Sequence, residues 1–148
     1  MALFQAFNIS ASGMTAERFR TDIIAENVAN VNTTRTEDGT PYRRKIVTFA
    51  ERDSGTFGEM LARTRGRMYG GGGVKVTKVA EDTESDYIMT YDPAHPDADE
   101  NGYVSYPNVN IVTEMTNLID ASRGYEANVT AFNAIKAMAQ AGLQVGKS

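Results

Sequence analysis

Two long stretches without proline, one at each end of the chain, constrain the fold more than any other feature of this sequence. Residues 3–31 contain a single glycine, Gly13, and residues 108–145 follow Pro107 with no further proline. In both stretches apolar residues recur every three or four positions, which places them on one face of a helix. We therefore predict a mainly α fold with a small β region, in which long N- and C-terminal helices pair as a coiled coil, with a short β-containing insert between them.

The apolar positions of each predicted helix form a row with alternating spacings of three and four residues, as in a coiled coil. A continuous C-terminal helix would be about 55 Å long at about 1.5 Å per residue, and such a helix needs a packing partner along most of its length. The N-terminal row consists of Phe4, Phe7, Ala11, Met14, Arg18, Thr21, Ala25 and Val28, and Arg18 and Thr21 interrupt its apolar character in the middle. The C-terminal row consists of Ile111, Met115, Leu118, Ser122, Tyr125, Val129 and Phe132, and a second row of Val112, Ile119, Ile135 and Met138 widens it.

The middle of the chain holds most of the glycines, prolines and charges, and its apolar periodicity changes from helical to alternating. Alternation predicts strands at Tyr42–Ala50, Val74–Val79 and Tyr87–Tyr91. We interpret Phe57–Arg67 as a segment with a helical turn and Gly70–Gly73 as a flexible link. These boundaries divide the chain into an N-terminal helix (1–34), a small outer β-containing domain (35–107) and a C-terminal helix (108–148).

Composition excludes several classes of function. The chain has no cysteine, so disulfides, zinc–thiolate sites and thiol nucleophiles are absent. Its net charge of −4 comes from mixed acidic and basic residues, which gives no reason to expect nucleic acid as a partner. The N-terminal residues carry no positive charge ahead of an apolar core, so we expect no conventional secretory signal and either a cytoplasmic protein or signal-independent export.

The single histidine, His95, lies between two prolines, and no serine motif accompanies it, so a catalytic triad is not predicted. Asp97, Asp99 and Asn101 repeat the first positions of a calcium-binding loop, but Asn108 stands where that loop needs a glutamate. We interpret the segment as a turn-rich loop whose Asp and Asn side chains bond to their own backbone. We therefore predict no catalytic residues, no metal and no cofactor.

An Asn-x-Ala-Asn-x-x-Thr motif, from Asn27 to Thr33, stands at the predicted end of the first helix. Asparagine and threonine end helices because their side chains compete for the backbone hydrogen bonds. The motif closely resembles the N-terminal signature of flagellar rod and hook proteins. Further stretches agree with that family in order and spacing: residues 41–45, the Tyr-Asp-Pro-Ala-His-Pro loop with the residues up to 110, and residues 114–128. Residues 57–73 do not match it position by position.

The resemblance implies a structural subunit of the proximal rod of the bacterial flagellar basal body, which self-assembles with other rod proteins into the helical drive shaft for motility. It implies, as partners, copies of itself, other rod proteins, the adaptor at the rod base and the flagellar type III export apparatus, with no nucleic acid and no small-molecule substrate. It implies a location in the periplasmic rod, reached without a cleavable signal peptide, and no enzyme activity. The implied assembly interface comprises Phe7, Met14, Asn27, Ala29, Asn30, Thr33, Met115, Leu118, Tyr125, Asn128, Val129 and Phe132.

Three alternatives remain open from sequence. Another member of the flagellar rod and hook family would share the terminal helices, although the Asp-Pro-Ala-His-Pro loop argues against it. A cytoplasmic coiled-coil adaptor would keep the helices but stay inside the cell. A small hydrolase would depend on His95 and lose activity when that residue is replaced by alanine.

Overall fold

The computed structural model describes residues 2–52, 61 and 72–146. Helix α1 spans Ala2–Ala29 and helix α2 spans Ile111–Val145. Between them lie four strands, β1 (Lys45–Glu51), β2 (Val74–Glu81), β3 (Ile88–Tyr91) and β4 (Tyr103–Tyr106). The mainly helical fold with a small β insert is therefore confirmed. The predicted helical turn at 57–67 lies outside the described residues, apart from Leu61, as do Gly70 and Gly71 of the predicted link.

The ends of the helices follow from local side-chain bonds. At the end of α1, the Asn30 side chain donates to the Glu26 carbonyl at 3.0 Å and accepts a bond from the Thr33 hydroxyl at 3.1 Å. These side-chain bonds accompany the last backbone bond of the helix, from Asn30 N to Glu26 O at 3.1 Å, at the position where the motif predicts that the helix ends. Helix α2 begins three residues later than predicted, because Asn110 acts as its N-cap: the Asn110 side-chain oxygen accepts bonds from the backbone amides of Val112 and Thr113.

The strands form two ribbons. Strands β1 and β2 pair, with Arg52 N donating to Gly73 O at one end and Asp82 N donating to Arg44 O at the other, which makes them antiparallel. Strands β3 and β4 are antiparallel, with Ile88 opposite Tyr106 and Tyr91 opposite Tyr103. Strand β4 falls in the segment predicted to be only a turn-rich loop, and this part of the prediction was wrong.

The chain forms two compact units. Unit 1 contains residues 1–19, 48–77 and 121–148, and unit 2 contains residues 20–47 and 78–120. Each helix contributes one part to each unit, so neither unit is a continuous segment. The three-part division made from sequence position stays a prediction. No helix in the described part of the chain combines the length and apolarity needed to cross a bilayer.

In unit 1 the two helices pack antiparallel. The rings of Phe7 and Phe132 meet edge to face with centroids 4.9 Å apart. Further along α1, a Cβ at Gly13 would overlap the Asn128 amide, lying 2.7 Å from its Cγ, so a larger residue there would have to displace the Asn128 side chain. Close contact between small residues therefore holds the helices together here.

Strand β2 is attached to α1 within the same unit. Val74 N donates to Ser12 Oγ at 3.0 Å, and Ser12 Oγ donates to Ile9 O at 2.7 Å. Gly73 has a φ of 95°, a conformation that favours glycine, and a Cβ there would overlap Ser12 Oγ. In the predicted flexible link, Gly73 is thus a closely packed turn residue and Gly72 is buried.

Candidate assembly interface

The first three turns of α2 expose a continuous apolar face in unit 2, which we call the α2 stripe. At about 100° per residue its members fall within about 120° of the helix surface. Their exposed fractions are 45% for Ile111, 74% for Val112, 56% for Met115, 37% for Leu118 and 53% for Ile119. Isolated exposed apolar residues are ordinary, but five on one helix face form an exposed apolar patch, which makes this face a candidate interaction surface.

Two of the close approaches between the helices involve residues one position away from the predicted rows. In unit 1, Gly13 and Asn128 make the contact, whereas the predicted Met14 and Val129 are only half-buried. On α2, Gly124 approaches Glu17 of α1 while the neighbouring Tyr125 remains 40% exposed. The prediction that the two helices pair is confirmed, and of the predicted rows Phe7 and Phe132 meet within the chain. Small residues allow the backbones to approach closely, and the bulky apolar side chains are left on the outside.

In unit 2 the helices meet around Asn27, which is fully buried. Its amide nitrogen donates to Lys45 O at 2.9 Å and to Glu114 Oε2 at 3.0 Å. Its oxygen accepts bonds from Lys45 N and from the Tyr42 hydroxyl, both at 2.8 Å. Both donors and both acceptor positions of the amide are therefore satisfied, which is the condition for burying such a group at low cost. We call Asn27, Tyr42, Arg44, Lys45 and Glu114 the polar node.

Glu114 supplies the negative charge of the polar node and is only 1% exposed. Its Oε1 accepts bonds from Nε and Nη2 of Arg44, both at 2.8 Å. A buried carboxylate is costly unless it is paired and hydrogen-bonded, and Arg44 together with Asn27 meets both conditions. Because Glu114 lies in the first turn of α2 and Asn27 in the last turn of α1, the node holds the helix ends together.

Tyr42 is enclosed by the polar node, with 8% of its surface exposed. Burial raises the pKa of Tyr42 to about 12, and the negative charges of Glu26, Glu114 and Glu81 act in the same direction. Lys45 pairs with Glu26, and its ammonium lies 5.7 Å from the centre of the Tyr42 ring. The phenol therefore remains a neutral hydrogen-bond donor to Asn27 across the physiological range.

A second set of polar contacts fixes the backbone beside the node. Arg44 N donates to Asn108 Oδ1 at 2.9 Å, and Asn108 Nδ2 donates to the carbonyl of Asp82 at 3.0 Å. Hydrogen bonds from the backbone and side chain of Ser85 lower the pKa of the Asp82 carboxyl. Strand β1 and the segment before α2 are thus joined through side chains to the turn that follows β2.

The Asp-Pro-Ala-His-Pro loop is a structural loop in the described chain. Asp97 pairs with Arg35 at 2.9 Å and accepts a bond from the Thr34 hydroxyl at 2.8 Å. His95 Nδ1 accepts a bond from Asp97 N at 3.1 Å. Asp99 Oδ1 accepts bonds from the backbone amides of Asn101 and Tyr103, so the predicted bonding of acidic side chains to their own backbone is confirmed. No group of three or more potential metal ligands occurs among the described residues.

The predicted interface residues therefore divide into three sets. Asn27 is internal, since all four of its hydrogen bonds stay within the chain, and it acts by fixing the ends of the helices. Met115, Leu118, Tyr125 and Ala29 are exposed. The half-buried set consists of Phe7, Met14, Asn30, Thr33, Asn128, Val129 and Phe132. An interface role for the exposed and half-buried residues stays a prediction.

Sequence reasoning missed Tyr42, Arg44 and Glu114 as partners of Asn27, and it left Val112 and Ile119, which belong to the α2 stripe, out of the predicted interface. The signal for Glu114 was a lone acidic residue between apolar positions in the first turn of α2, and that for Val112 and Ile119 was the second apolar row. Nothing local identifies Arg44 as the partner of Glu114, because the two lie 70 residues apart.

Comparison with known families agrees with this architecture at both helices. Residues 7–35 match the family model described as "Flagella basal body rod protein". Residues 100–145 match the model described as "Flagellar basal body rod FlgEFG protein C-terminal". The two matches contain both sides of the polar node, Asn27 and Glu114, and they define the class as that of flagellar rod proteins.

Whole-chain relatives narrow the class. The chain is 42% identical to the flagellar basal-body rod protein FlgC of Bacillus subtilis, covering 99% of this chain and 100% of the relative. It is 43% identical to FlgC of Borreliella burgdorferi, with 98% of each covered, and 37% identical to FlgC of Salmonella typhimurium, with 99% and 100% covered. The chain therefore belongs to the FlgC family of flagellar basal-body rod proteins. It is a structural subunit of the rod and assembles with other rod components in the flagellar basal body.

Proposed function

We propose that this subunit builds the proximal part of the rod by burying the α2 stripe against neighbouring rod subunits, both copies of itself and other rod proteins. The observation that carries the proposal is the arrangement of α2, whose small and polar residues make the contact within the chain while five bulky apolar residues face outward. A subunit made only to be stable by itself would bury those side chains.

The α2 stripe supplies a substantial part of the energy needed for association. Fully burying an apolar side chain contributes about 1.5–3 kcal/mol. Because the five side chains are already partly covered, each contributes roughly 1 kcal/mol more on assembly, or about 5 kcal/mol per subunit face. That is comparable to the cost of ordering two partners, so repeated contacts along a rod are needed for a stable structure.

The remaining parts of the proposal concern partners and route. The subunit contacts the adaptor at the rod base, and it reaches the periplasmic rod unfolded through the flagellar type III export apparatus, without a cleavable signal peptide. The apolar face supports this route indirectly, because a chain that associates through exposed apolar side chains is best kept unassembled until it reaches the growing rod.

The experiment introduces a Met115→Asp/Ile119→Asp variant into a strain from which the gene for this chain has been deleted. Basal bodies are then imaged by cryo-electron microscopy, and swimming is measured in the same strains. We expect rods that stop at their base and no swimming, because two carboxylates on the α2 stripe cannot be buried unpaired. Thr113→Asp, which adds a carboxylate at an exposed position outside the stripe, is the matched control and should restore swimming.

Circular dichroism of the purified variants separates assembly from folding, since the substituted positions are exposed and both variants should unfold at the same urea concentration as the parent. Complete rods and normal swimming with the double variant would contradict the proposed role of the stripe. Complete rods in the deleted strain itself would contradict any rod-building role and favour the cytoplasmic adaptor.

A further inference from the structure

The ribbon of β3 and β4 in unit 2 has one apolar face turned to solvent. Met89, Tyr91 and Tyr103 share this face, since Tyr91 pairs with Tyr103 and Met89 pairs with Ser105. Their exposed fractions are 54%, 64% and 44%, and the two tyrosine rings meet edge to face at 5.3 Å. On the opposite face Val104 is completely buried, whereas Ile88 is 50% exposed. Val104 therefore anchors the ribbon in the unit, while the face of Met89, Tyr91 and Tyr103 is left uncovered; we call this uncovered face the hairpin face.

The chain around the hairpin face is strongly acidic. Residues 79–122 contain ten of the 19 acidic residues and none of the 15 lysines and arginines. Asp92, Asp99 and Glu100 lie at the end of the ribbon next to Tyr91 and Tyr103. Of the acidic residues between 81 and 100 that the structure describes, Asp97 is the one that forms an ion pair. The hairpin face is thus apolar at its centre and negative at its border.

A groove in unit 1 has the complementary character. It lies between α1 and β2 and has a volume of about 370 Å³. Its apolar lining includes Phe19, Val74 and Val76, and its charged lining residues, Arg52 and Lys75, are both cationic and exposed. An apolar cavity of about 150 Å³ accommodates a benzene ring, so this groove has room for two aromatic side chains.

We propose that the hairpin face of one subunit docks into the groove of a second copy of this chain, with Tyr91 and Tyr103 in the groove and the acidic border against Arg52 and Lys75. Charge complementarity favours a second copy: the 104 residues outside 79–122 carry all 15 basic residues and only nine acidic ones. The inference rests on the proposed assembly role, to which it adds a specific contact.

The contact has a consequence for assembly. The two surfaces are formed by different residues of the same chain, so it is heterologous, and each added copy presents a new hairpin face or a new groove. Contacts of this type build open helical arrays when they do not close into rings. The contact is therefore suited to a rod, in which copies follow one another along a helix.

Cysteine cross-linking tests the contact directly, because the natural chain has no cysteine. Thr15→Cys places a thiol at the groove and Asn101→Cys places one beside Tyr103; both positions are exposed. Mixing the two purified full-length variants under mild oxidation should give a disulfide-linked dimer. Thr130→Cys is the matched control for Thr15→Cys, since both threonines are exposed and donate to the carbonyl four residues earlier.

We expect the Thr15→Cys and Asn101→Cys pair to cross-link about ten times faster than the Thr130→Cys and Asn101→Cys pair. Equal rates would overturn the proposal. Predominant linkage between two Asn101→Cys copies would also overturn it, in favour of a symmetric contact. Linkage of Asn101→Cys in cells to a different rod protein instead of this chain would overturn the second copy as the occupant.

Charge reversal provides an independent test in the same assay. Lys75→Glu in the groove copy, or Glu100→Lys in the hairpin copy, should each slow cross-linking about fivefold at low salt, because each places like charges together. The two reversals combined should restore the rate, which loss of folding cannot do. If the combined reversals do not restore the cross-linking rate, Lys75 and Glu100 do not face each other in the contact.

Outcomes in cells separate this inference from the proposed function. If both charge-reversed variants build complete rods while Met115→Asp/Ile119→Asp does not, the hairpin contact is wrong and the role of the α2 stripe stands. If the deleted strain builds complete rods, the rod-building role itself fails, whatever the cross-linking shows.

Discussion

Replacing Asn27 by alanine should destabilise the folded subunit severely. The substitution removes four hydrogen bonds, of 2.8–3.0 Å, and leaves the Tyr42 hydroxyl, one oxygen of Glu114 and both backbone groups of Lys45 without this partner. A typical hydrogen bond contributes about 1 kcal/mol, and a buried group left unsatisfied costs about 1–3 kcal/mol. We therefore expect the free energy of unfolding to fall by about 3–5 kcal/mol, a large part of the roughly 5–15 kcal/mol of an ordinary domain.

The measurement is urea unfolding of the purified chain followed by circular dichroism at pH 7. Asn133→Ala is the control, because Asn133 is exposed on α2 and its loss should change the free energy of unfolding by less than about 0.5 kcal/mol. A loss below about 1 kcal/mol for Asn27→Ala would refute the reasoning, because it would mean that water or neighbouring groups replace the amide.

Asn27→Asp tests the effect of a negative charge in the polar node while the size of the side chain stays the same. It would direct an oxygen, in place of the amide nitrogen, toward Glu114 Oε2 and Lys45 O. Burial and the neighbouring carboxylate would raise the pKa of the new aspartate in the folded state. The destabilisation should therefore be complete above that raised pKa and should diminish as the pH falls toward about 4, the value for an unfolded aspartate. A destabilisation independent of pH would contradict this account.

Three further predictions follow from contacts described above. Gly13→Ala should lower the free energy of unfolding by about 1–3 kcal/mol in urea unfolding, because the new methyl overlaps Asn128, whereas Gly142→Ala, with open space around it, should be neutral or stabilising by up to about 1 kcal/mol. Because the pKa of Tyr42 is raised from 10.0 to about 12, unfolding releases its proton between these values, and the free energy of unfolding should fall by up to about 3 kcal/mol as the pH rises through that window. The same titration of Tyr42→Phe should lack this loss. In hydrogen exchange of the dilute subunit, amides of residues 140–145, whose side chains are all exposed, should exchange faster than those in the middle of α2, and uniform protection would contradict this.

The lengths and positions of the helices could be predicted because proline, glycine and apolar spacing are local signals. The close approaches at Gly13 and Gly124 could not, because apolar periodicity marks bulky side chains, and several of those on α2 face outward. The true contact uses Gly13, Gly124 and Asn128, which carry little hydrophobic signal. A sequence pattern shows which residues seek burial, but it does not distinguish burial within a subunit from burial between subunits.

The β insert was also only partly predictable from sequence, for a different reason. Strand β4 has only four residues between a turn and Pro107, too few for alternation to be recognised, and it is stabilised by pairing with β3 more than ten residues earlier. The polar node was found only through Asn27, by its place in a family motif. Its other members are joined by contacts over 15 to 87 residues of sequence, which no local pattern contains.

The bonds between Asn27 and Lys45 also determine how the β1–β2 ribbon can be extended. Arg44 directs its carbonyl toward β2, so the N–H and C=O of the next residue, Lys45, face the opposite edge of β1. There both groups bond to one amide side chain, which occupies the place of a residue in a third strand. Exposed strand edges are where sheets of different molecules join without specificity. With the start of β1 closed in this way, a strand from another subunit cannot add to it at Lys45, and contacts between subunits there must be made by side chains.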